Sequence, residues 1–383
     1  MRVPDVDDRI AAATLAGLGS LSRARLRAVL DHHRPVEALE RLAVGAPLDR
    51  SVGLSVEVHG RLVAQARAAD PLDVGLRLRG CGITVLLRDS PDYPSALAAD
   101  AEAPAVLFAR GRASALGGRR VAVVGTRNAT AAGRATATEL GRDLATAGVT
   151  VVSGLALGID AAAHHGAVSA GTAAGGTVAV VGNGLDEPYP RRNAALFEAL
   201  CADHLVLSEW PPDTPPEAFR FPLRNRIIAA LAEVLIVVES RERGGSLITA
   251  RAALDRGIDV MAVPGSPRTR AAAGTNLLLR DGAAPVTCAQ DVLDVLSIVT
   301  PPGNPIASRP SPVDDPVAAA VLERCREGPA TLDALVASSG AGITAVVTTV
   351  AGLLTAGHLS EHAGWLEATG SRLRPDLSGS RRS

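Results

Sequence analysis

Residues 121–171, which read VAVVGTRNATAAGRATATELGRDLATAGVTVVSGLALGIDAAAHHGAVSAG, decide the fold. The apolar run 121–124 is too short for a helix and is rich in β-branched residues, so it predicts a strand buried on both faces. Apolar residues at helical spacing over 130–147, followed by Gly148, predict a helix and its end. A second apolar run at 149–152 completes a βαβ unit. Such a unit implies a parallel sheet with a right-handed crossover.

The same alternation of strand and helix continues to about residue 296. Five further strands are predicted near residues 178–181, 205–207, 234–238, 260–263 and 285–287. Together with the first two they form one α/β domain, 119–297, with a Rossmann-like doubly wound parallel sheet. A transitional segment, 71–118, joins this core and contains two possible strands, at 83–87 and 105–109.

The first 70 residues predict short helices, that is, an N-terminal helical domain of the SAM or helix-hairpin-helix kind. Gly17-Leu18-Gly19 resembles the turn of a helix-hairpin-helix, whose backbone amides can meet a nucleic-acid phosphate. An ordinary packing unit of two helices explains the same residues, and this second interpretation is preferred.

The end of the chain predicts a small separate module. Residues 298–315 are rich in proline and poor in charge, which is typical of a linker. Three helices and a hairpin over 316–370 then describe a winged-helix domain, followed by a disordered basic tail at 371–383. The third helix has no basic residue and the module is net acidic. A DNA reader needs cations for the phosphates beside its helix, so a protein-docking module is predicted instead.

The composition narrows the class of protein. The formal net charge is -1, so no global basic field indicates nucleic acid or membrane. All 39 basic residues are arginine, so any phosphate clamp must use arginine or backbone amides. The four cysteines lie far apart, which argues against a disulfide framework or a zinc site and suits a reducing compartment. Since neither a signal peptide nor an apolar run of about 18 residues is present, a cytoplasmic protein without a membrane partner is expected.

Small residues and arginine cluster where the predicted strands end. In doubly wound sheets, ligands sit beyond the carboxyl ends of the strands, where backbone N–H groups attract anions. A phosphate-bearing ligand is therefore predicted there, although tight turns without a ligand explain each loop equally well. The candidate residues of these loops are Gly125, Thr126, Arg127, Ser153, Gly154, Gly158, Gly244, Gly245, Ser246 and Thr249.

The aromatic residues point to the same region. The chain has only eight, and five of them lie between positions 189 and 221. Two of these, Phe219 and Phe221, begin a segment in which rings and guanidinium groups alternate. The segment continues with Arg224, Asn225 and Arg226. Single-stranded nucleic acid is held by a cationic groove with rings on which bases stack, but packing of both rings between strand and helix is equally open.

The same loops lack an obvious catalytic set. The sequence contains no GxSxG, HExxH or GxxxxGK[ST] motif, and Gly125 is not followed by the rest of a dinucleotide fingerprint. No catalytic residue, metal ligand or cofactor is therefore predicted. Glu239 is the one good candidate for a catalytic carboxylate, and Asp160 is predicted to be a helix N-cap.

Eight motifs follow one another along the core: VAVVGTR, VVSGLALGIDAAAH, GNGLDEPYP, SEWPP, FRFPLRNRIIAAL, VVESRERGGSLITARAA, MAVPG and GTNLLLRDGA. In order and spacing they resemble the DNA-processing protein A family, also called Smf. The resemblance covers about residues 93–296, and the helical front and winged-helix end look like that family's flanking modules.

The resemblance implies a protein without enzymatic activity. Members of this family bind single-stranded DNA that enters during natural transformation, form homodimers through the Rossmann-like domain and help load the recombinase RecA. Carried over to this chain, Arg127, Arg224, Asn225 and Arg226 are the implied DNA contacts, and Gly244, Gly245 and Ser246 match the glycine-rich turn. The alternative is a nucleotide-hydrolysing enzyme of the phosphoribohydrolase kind that uses Glu239. A nicotinamide-dependent enzyme is not favoured, because this sequence lacks the dinucleotide-binding fingerprint.

Overall fold

The computed structural model describes residues 6–171, 175–296, 316–355, 358–362 and 365–368. The chain divides into two compact units, Met1–Pro301 and Pro302–Ser383. The predicted linker and the predicted basic tail lie outside the described residues.

The first unit begins with five helices: α1 (Asp8–Ala16), α2 (Arg23–His32), α3 (Pro35–Val44), α4 (Val56–Ala68) and α5 (Pro71–Gly80). Four of them start after a polar N-cap whose side chain accepts a backbone N–H, namely Asp7, Ser22, Ser55 and Asp70. Their apolar faces meet in one cluster with Phe108 and Phe197 of the α/β part. The helices and the sheet therefore share a core.

The turn between α1 and α2 bonds its amides within the chain. The Leu18 and Leu21 N–H groups donate to the carbonyls of Leu15 and Leu18, at 3.1 and 2.8 Å. The Ser20 N–H donates to Oε1 of Gln65 on α4 at 3.1 Å. These bonds favour the packing turn over a phosphate-binding helix-hairpin-helix, because the amides are already used.

A nine-stranded sheet forms the centre of the first unit, in the order β1-β2-β6-β5-β4-β3-β7-β8-β9. The strands are β1 (Ile83–Leu87), β2 (Val106–Gly111), β3 (Arg120–Val124), β4 (Thr150–Ser153), β5 (Thr177–Val181), β6 (Leu205–Ser208), β7 (Val234–Val237), β8 (Asp259–Ala262) and β9 (Ala284–Pro285). The chain moves outward from β3 to β6 and then returns to the other side of β3, which is the doubly wound order. The predicted α/β class with a large parallel sheet is confirmed.

All seven predicted parallel strands are present, each within two residues of its expected bounds. In the order of the sheet, every neighbouring pair of strands from β6 to β9 is parallel. The two possible strands of the transitional segment are present as well, but β2 pairs antiparallel with both β1 and β6. This segment therefore widens the sheet at one edge.

Helices cover both faces of the sheet: α6 (Ser95–Ala98), α7 (Ala131–Thr146), α8 (Ile159–Ser169), α9 (Ala194–Asp203), α10 (Arg220–Leu231), α11 (Gly245–Leu254), α12 (Ala273–Arg280) and α13 (Ala289–Val295). The helices α7 and α8 approach closely because two glycines lack a side chain at the contact. A Cβ on Gly141 would lie 2.2 Å from the carbonyl of Ala163, and one on Gly166 would lie 2.0 Å from that of Thr138. The helix that carries the SGLALGID loop is thus fixed against its neighbour.

The second unit contains α14 (Pro316–Glu327), β10 (Ala330–Thr331), α15 (Leu332–Ser339), α16 (Ile343–Thr355), β11 (Leu359–His362) and β12 (Trp365–Ala368). The strands form a small sheet in the order β10-β12-β11, with antiparallel pairs. The helices pack on it around Val321, Leu335, Val346 and Leu366. Three helices and a hairpin were predicted here, whereas β10 was not.

Within the part of the chain that the structure describes, no single helix is long and apolar enough to cross a membrane. Only Leu332–Ser339 and Ile343–Leu354 taken together meet that criterion by length and composition, and they are bent by 117°.

Candidate nucleic-acid interface

The loops after β3, β4, β5, β7 and β8 leave the sheet at one edge, because these strands are parallel neighbours. We call this side of the molecule the carboxyl edge. Neighbouring strands lie about 4.8 Å apart, so successive loops are close together. The Thr126 N–H donates to the carbonyl of Glu239 at 2.8 Å, which joins the loops after β3 and β7.

At the carboxyl edge, the guanidinium of an arginine and two aromatic rings form a stack. The guanidinium of Arg127 lies 4.8 Å from the ring centroid of Phe221. Phe221 in turn stacks on Tyr189, with centroids 5.6 Å apart and an angle of 22° between the planes. Arg127 is exposed, and Tyr189 is 37% exposed. We call these three residues the Arg127 stack; its rings are accessible to a ligand.

The Arg127 stack borders a small pocket of about 60 Å³, which Asn183 and Arg224 also line. The Asn183 Nδ2 donates to the carbonyls of Gly184 and Glu187, both at 2.8 Å. Its Oδ1 is buried without a hydrogen-bond partner among the described residues. Because this oxygen is buried, it does not face a ligand in the pocket.

Arg224 has a different position from the one that the sequence predicted for a DNA contact. Only 4% of the residue is exposed. Its Nη1 donates to the carbonyls of Gly154, at 2.6 Å, and Val180, and its Nε donates to Oδ1 of Asn225 at 2.9 Å. We therefore revise its role: Arg224 lies under the loop after β4 and supports it.

Gly154 is required for this arrangement. A Cβ at that position would lie 2.2–2.3 Å from the guanidinium atoms of Arg224. Gly158, in the same loop, has φ +84°, and a Cβ there would lie 2.3 Å from the carbonyl of Thr126. The two glycines thus allow the loop to contact a buried side chain below it and the neighbouring loop beside it.

The backbone amides of these loops are occupied by a carboxylate of the chain itself. Asp160, in the first turn of α8, accepts the Gly154 N–H at 3.2 Å and also bonds the backbone amides of Gly125 and Ala156. Its carboxylate lies 4.0 Å from Nη2 of Arg224. Burial raises the pKa of Asp160 and lowers that of Arg224 to about 10, because both charged forms lose water. The sequence prediction that Asp160 is an N-cap was wrong, since Gly158 holds that position.

A second carboxylate fills the N-terminus of α7. Glu239 accepts the Thr130 N–H at 2.9 Å and the Thr130 hydroxyl at 2.6 Å. A Cβ on Gly133 would lie 2.3 Å from its carboxyl carbon. Glu239, the candidate catalytic carboxylate of the alternative function, is therefore packed against a helix end where it complements the partial positive charge.

Arg226 and Phe219 have contacts outside the Arg127 stack. Arg226 pairs with Glu209 at 2.5 Å, and Arg23 of α2 pairs with the other oxygen of Glu209 at 2.9 Å. Phe219 is 56% exposed, and its ring lies 5.1 Å from the guanidinium of Arg220. Arg226 also lines a separate, open depression of about 670 Å³ beside α11, together with Gly244 and Gly245. The predicted residues thus share one edge but not one depression.

The remaining predicted hydroxyl residues of the site are buried. Ser153 donates to the carbonyl of Val123 at 2.6 Å, and Ser246 donates to Oγ of Ser240 at 2.9 Å. Thr249 is 2% exposed. These side chains hold strands and loops together, so they do not face a surface ligand in this conformation.

Sequence reasoning missed three residues of the site. Tyr189 was noticed only as one of the clustered aromatic residues, and its contact with Phe221 spans 32 positions of the sequence. Asn183 and Arg23 gave no signal, although the GNGLDEPYP motif contains the first of them. Proximity in the fold, not the pattern of the chain, identifies them.

Residues 84–297 match the family described as DNA recombination-mediator protein A. The DNA processing protein DprA of Bacillus subtilis (strain 168) is 41% identical over 216 residues, which cover 56% of this chain and 72% of that protein. The X-ray structure of DNA processing protein A from Streptococcus pneumoniae matches with a TM-score of 0.64 and 33% identity, over 76% of this chain and 98% of that one.

A second solved structure concerns the single-stranded DNA binding mode of DNA processing protein A from Helicobacter pylori. It matches with a TM-score of 0.51 and 28% identity, over 56% of this chain and 95% of that chain.

Proposed function

The chain belongs to the family of DNA recombination-mediator protein A, and from this premise we propose that it binds single-stranded DNA at the carboxyl edge. The solved structure of DNA processing protein A from Helicobacter pylori concerns such binding. The carboxyl edge of this chain has the two kinds of group that a single strand needs, an exposed cation and accessible rings.

The observation that carries the proposal is the Arg127 stack. Arg127 has no carboxylate partner within the described ranges, so its charge is available to a phosphate. Bases stack on aromatic rings with about 1–3 kcal/mol each, whatever their identity. Phosphate binding by Arg127 and base stacking on Tyr189 and Phe221 are thus possible at the same place.

A binding role accounts for this edge better than nucleotide hydrolysis does. The pocket at the Arg127 stack measures about 60 Å³, whereas sites that enclose small ligands measure about 300–1,000 Å³. The hydrolase would also need Glu239 as a free carboxylate, and both of its oxygens bond Thr130. We therefore propose that the protein is not an enzyme. Incubation with nucleoside monophosphates, followed by detection of released base, tests this directly.

The finer roles are proposed from family membership. We propose that the protein protects DNA during natural transformation, helps load RecA and forms a homodimer through residues 119–297. We also propose that residues 1–70 form a SAM or helix-hairpin-helix-like domain, joined to the core by residues 71–118. The second unit is proposed to be a winged helix over 316–370, preceded by a linker at 298–315. Its charge supports protein docking, because α16 carries no basic residue.

The proposal is tested by titrating the full chain with single- and double-stranded oligonucleotides of equal length at two salt concentrations. The Arg127→Ala variant loses one phosphate contact. The slope of log K against log salt is negative, and its magnitude should therefore decrease by about 0.7 for a single strand. At 0.1 M salt this corresponds to about fivefold weaker binding. Arg50→Ala removes an exposed arginine far from the carboxyl edge and is the matched control. If Arg127→Ala binds like the parent and like the control, the interface is misplaced.

A further inference from the structure

We propose that four arginines on the loops after β7 and β8 form a second cationic surface, which binds the phosphodiester backbone of the same single strand beyond the Arg127 stack. These residues, which we call the distal arginine cluster, are Arg241, Arg243, Arg268 and Arg270. The inference rests on the proposed function, because it extends the path of the DNA along the carboxyl edge.

The two loops of the distal arginine cluster are in direct contact. The strands β7 and β8 are parallel neighbours, so both loops leave the sheet at the carboxyl edge. The Gly274 N–H, just after the second loop, donates to the carbonyl of Ser240 at 2.7 Å. A Cβ on Gly274 would lie 2.6 Å from the carbonyl of Arg241, so a side chain there would separate the loops. The late GTN motif thus keeps the two loops that carry the four arginines in contact.

The second loop is held in a defined shape. The side-chain amide of Asn276 pairs with Gly265 in both directions: Nδ2 donates to its carbonyl at 2.9 Å, and Oδ1 accepts its N–H at 3.2 Å. Within the loop, the Thr269 and Arg268 N–H groups donate to the carbonyl and the hydroxyl of Ser266, at 2.9 and 3.3 Å. A loop that is already ordered loses less conformational entropy when its arginines bind a ligand.

The charges of the cluster are unpaired. All four residues are exposed, and among the described residues no ion pair or side-chain hydrogen bond involves their guanidinium groups. Nearby arginines are neutralised in contrast: Arg256 bonds Asp100 at 2.5 Å and Glu102 at 2.7 Å. Within residues 240–244 and 263–270 of the two loops, Glu242 is the one acidic residue. Unpaired cations concentrated on one surface attract a polyanion even when the whole molecule is nearly neutral.

The cluster continues the surface of the Arg127 stack. The hydrogen bond from the Thr126 N–H to the Glu239 carbonyl places the loop of Arg127 beside the loop of Arg241. From β5, whose following loop bears Tyr189, to β8 there are four strand spacings of about 4.8 Å, or about 19 Å. At about 3.4 Å per stacked nucleotide, a strand of about six nucleotides is needed to reach from Tyr189 to the loop after β8. A strand of about four nucleotides that stacks on Tyr189 spans about 14 Å, so it does not reach Arg268 and Arg270.

This length dependence gives the test. Two double variants of the full chain, Arg241→Gln/Arg243→Gln and Arg268→Gln/Arg270→Gln, are compared with Arg50→Gln/Arg79→Gln, which removes the same charge from exposed positions of the helical front. Each is titrated with oligothymidylates of about 4 and about 20 nucleotides at several salt concentrations. For the long strand, each distal variant should reduce the magnitude of the slope of log K against log salt by up to about 1.4. This corresponds to about 25-fold weaker binding at 0.1 M salt. For the short strand, Arg268→Gln/Arg270→Gln should bind like the control, because the loop after β8 is out of its reach.

Two results would overturn the inference. In the first, both distal variants bind the long strand as tightly as the control does. The cluster would then serve another partner, such as an acidic protein. Equal losses by Arg268→Gln/Arg270→Gln for the short and long strands would show that the loop after β8 does not bind a more distant part of the strand. The proposed function fails on a different result, namely an Arg127→Ala variant that binds the short strand as tightly as the parent.

Discussion

Replacement of the buried guanidinium of Arg224 by an apolar side chain should destabilise the first unit rather than remove a DNA contact. Arg224 and Asp160 have side chains that are 5% and 7% exposed. The Arg224→Met variant would leave the Asp160 carboxylate without its cation and the carbonyls of Gly154 and Val180 without their donor. Breaking a buried pair in this way costs about 3–5 kcal/mol. At about 2–4 °C per kcal/mol, the unfolding temperature should fall by about 6–20 °C.

The variant should also acquire a dependence of its stability on pH. Burial raises the pKa of Asp160, and the loss of Arg224 raises it further because a neighbouring cation is removed. A carboxyl whose pKa is higher in the folded than in the unfolded state contributes stability at low pH, and this contribution is lost as the pH rises through the folded-state pKa. Arg224→Met should therefore be more stable at about pH 5 than at about pH 8, relative to the parent.

Thermal unfolding followed by circular dichroism, at both pH values, measures these effects. Arg127→Met is the matched control: it removes the same charge from an exposed position and should change stability by less than about 0.5 kcal/mol. The double variant Arg224→Met/Asp160→Asn removes both charges and should regain part of the loss. An unchanged unfolding temperature for Arg224→Met, or a double variant no more stable than the single one, would refute the structural role of the pair.

Three further outcomes are expected. Phe221→Leu should weaken binding of single strands by about 1–3 kcal/mol with an unchanged salt slope, because a stacking surface is lost and no charge is; a lower slope would show that the ring acts only by holding Arg127. Gly158→Ala should lower the unfolding temperature by the equivalent of about 1–3 kcal/mol, because φ is +84°, while Gly245→Ala, where a Cβ would meet nothing within 4 Å, should not. Residues 316–370 expressed alone should show no measurable DNA affinity at low salt, and micromolar binding would contradict their assignment as a docking module.

The sheet could be predicted from the sequence because its signals are local. The parallel strands β3 to β8 are short runs of mostly buried, apolar residues. The pairing of β2 with β6 had no such signal, since an edge strand that returns antiparallel has the same local pattern as a parallel one. Fold class and strand positions were therefore accessible, whereas the width of the sheet was not.

The roles of individual site residues were harder to predict, because they depend on contacts between distant parts of the chain. Arg224 bonds Gly154 and Val180, which are 70 and 44 positions away, and no local pattern distinguishes it from exposed Arg127. The FPLRNR segment indicated where arginines are concentrated. It could not indicate that Arg224 supports a loop or that Arg226 pairs with Glu209. The exposed cation, Arg127, follows another strand.

The two carboxylates at the carboxyl edge determine what this fold can bind. Helix N-termini after parallel strands are the usual phosphate sites of doubly wound sheets, yet Glu239 occupies that of α7 and Asp160 occupies the amides in front of α8. A phosphate would have to displace a bonded carboxylate there, so a mononucleotide finds no strong anchor. The cations left exposed, Arg127 and the distal arginine cluster, lie on the surface and are spread over several strand spacings. Each offers only a weak, salt-sensitive contact, and a ligand gains affinity only by reaching many of them. The arrangement therefore favours a polymer over its monomers, and affinity should increase with strand length until the edge is filled.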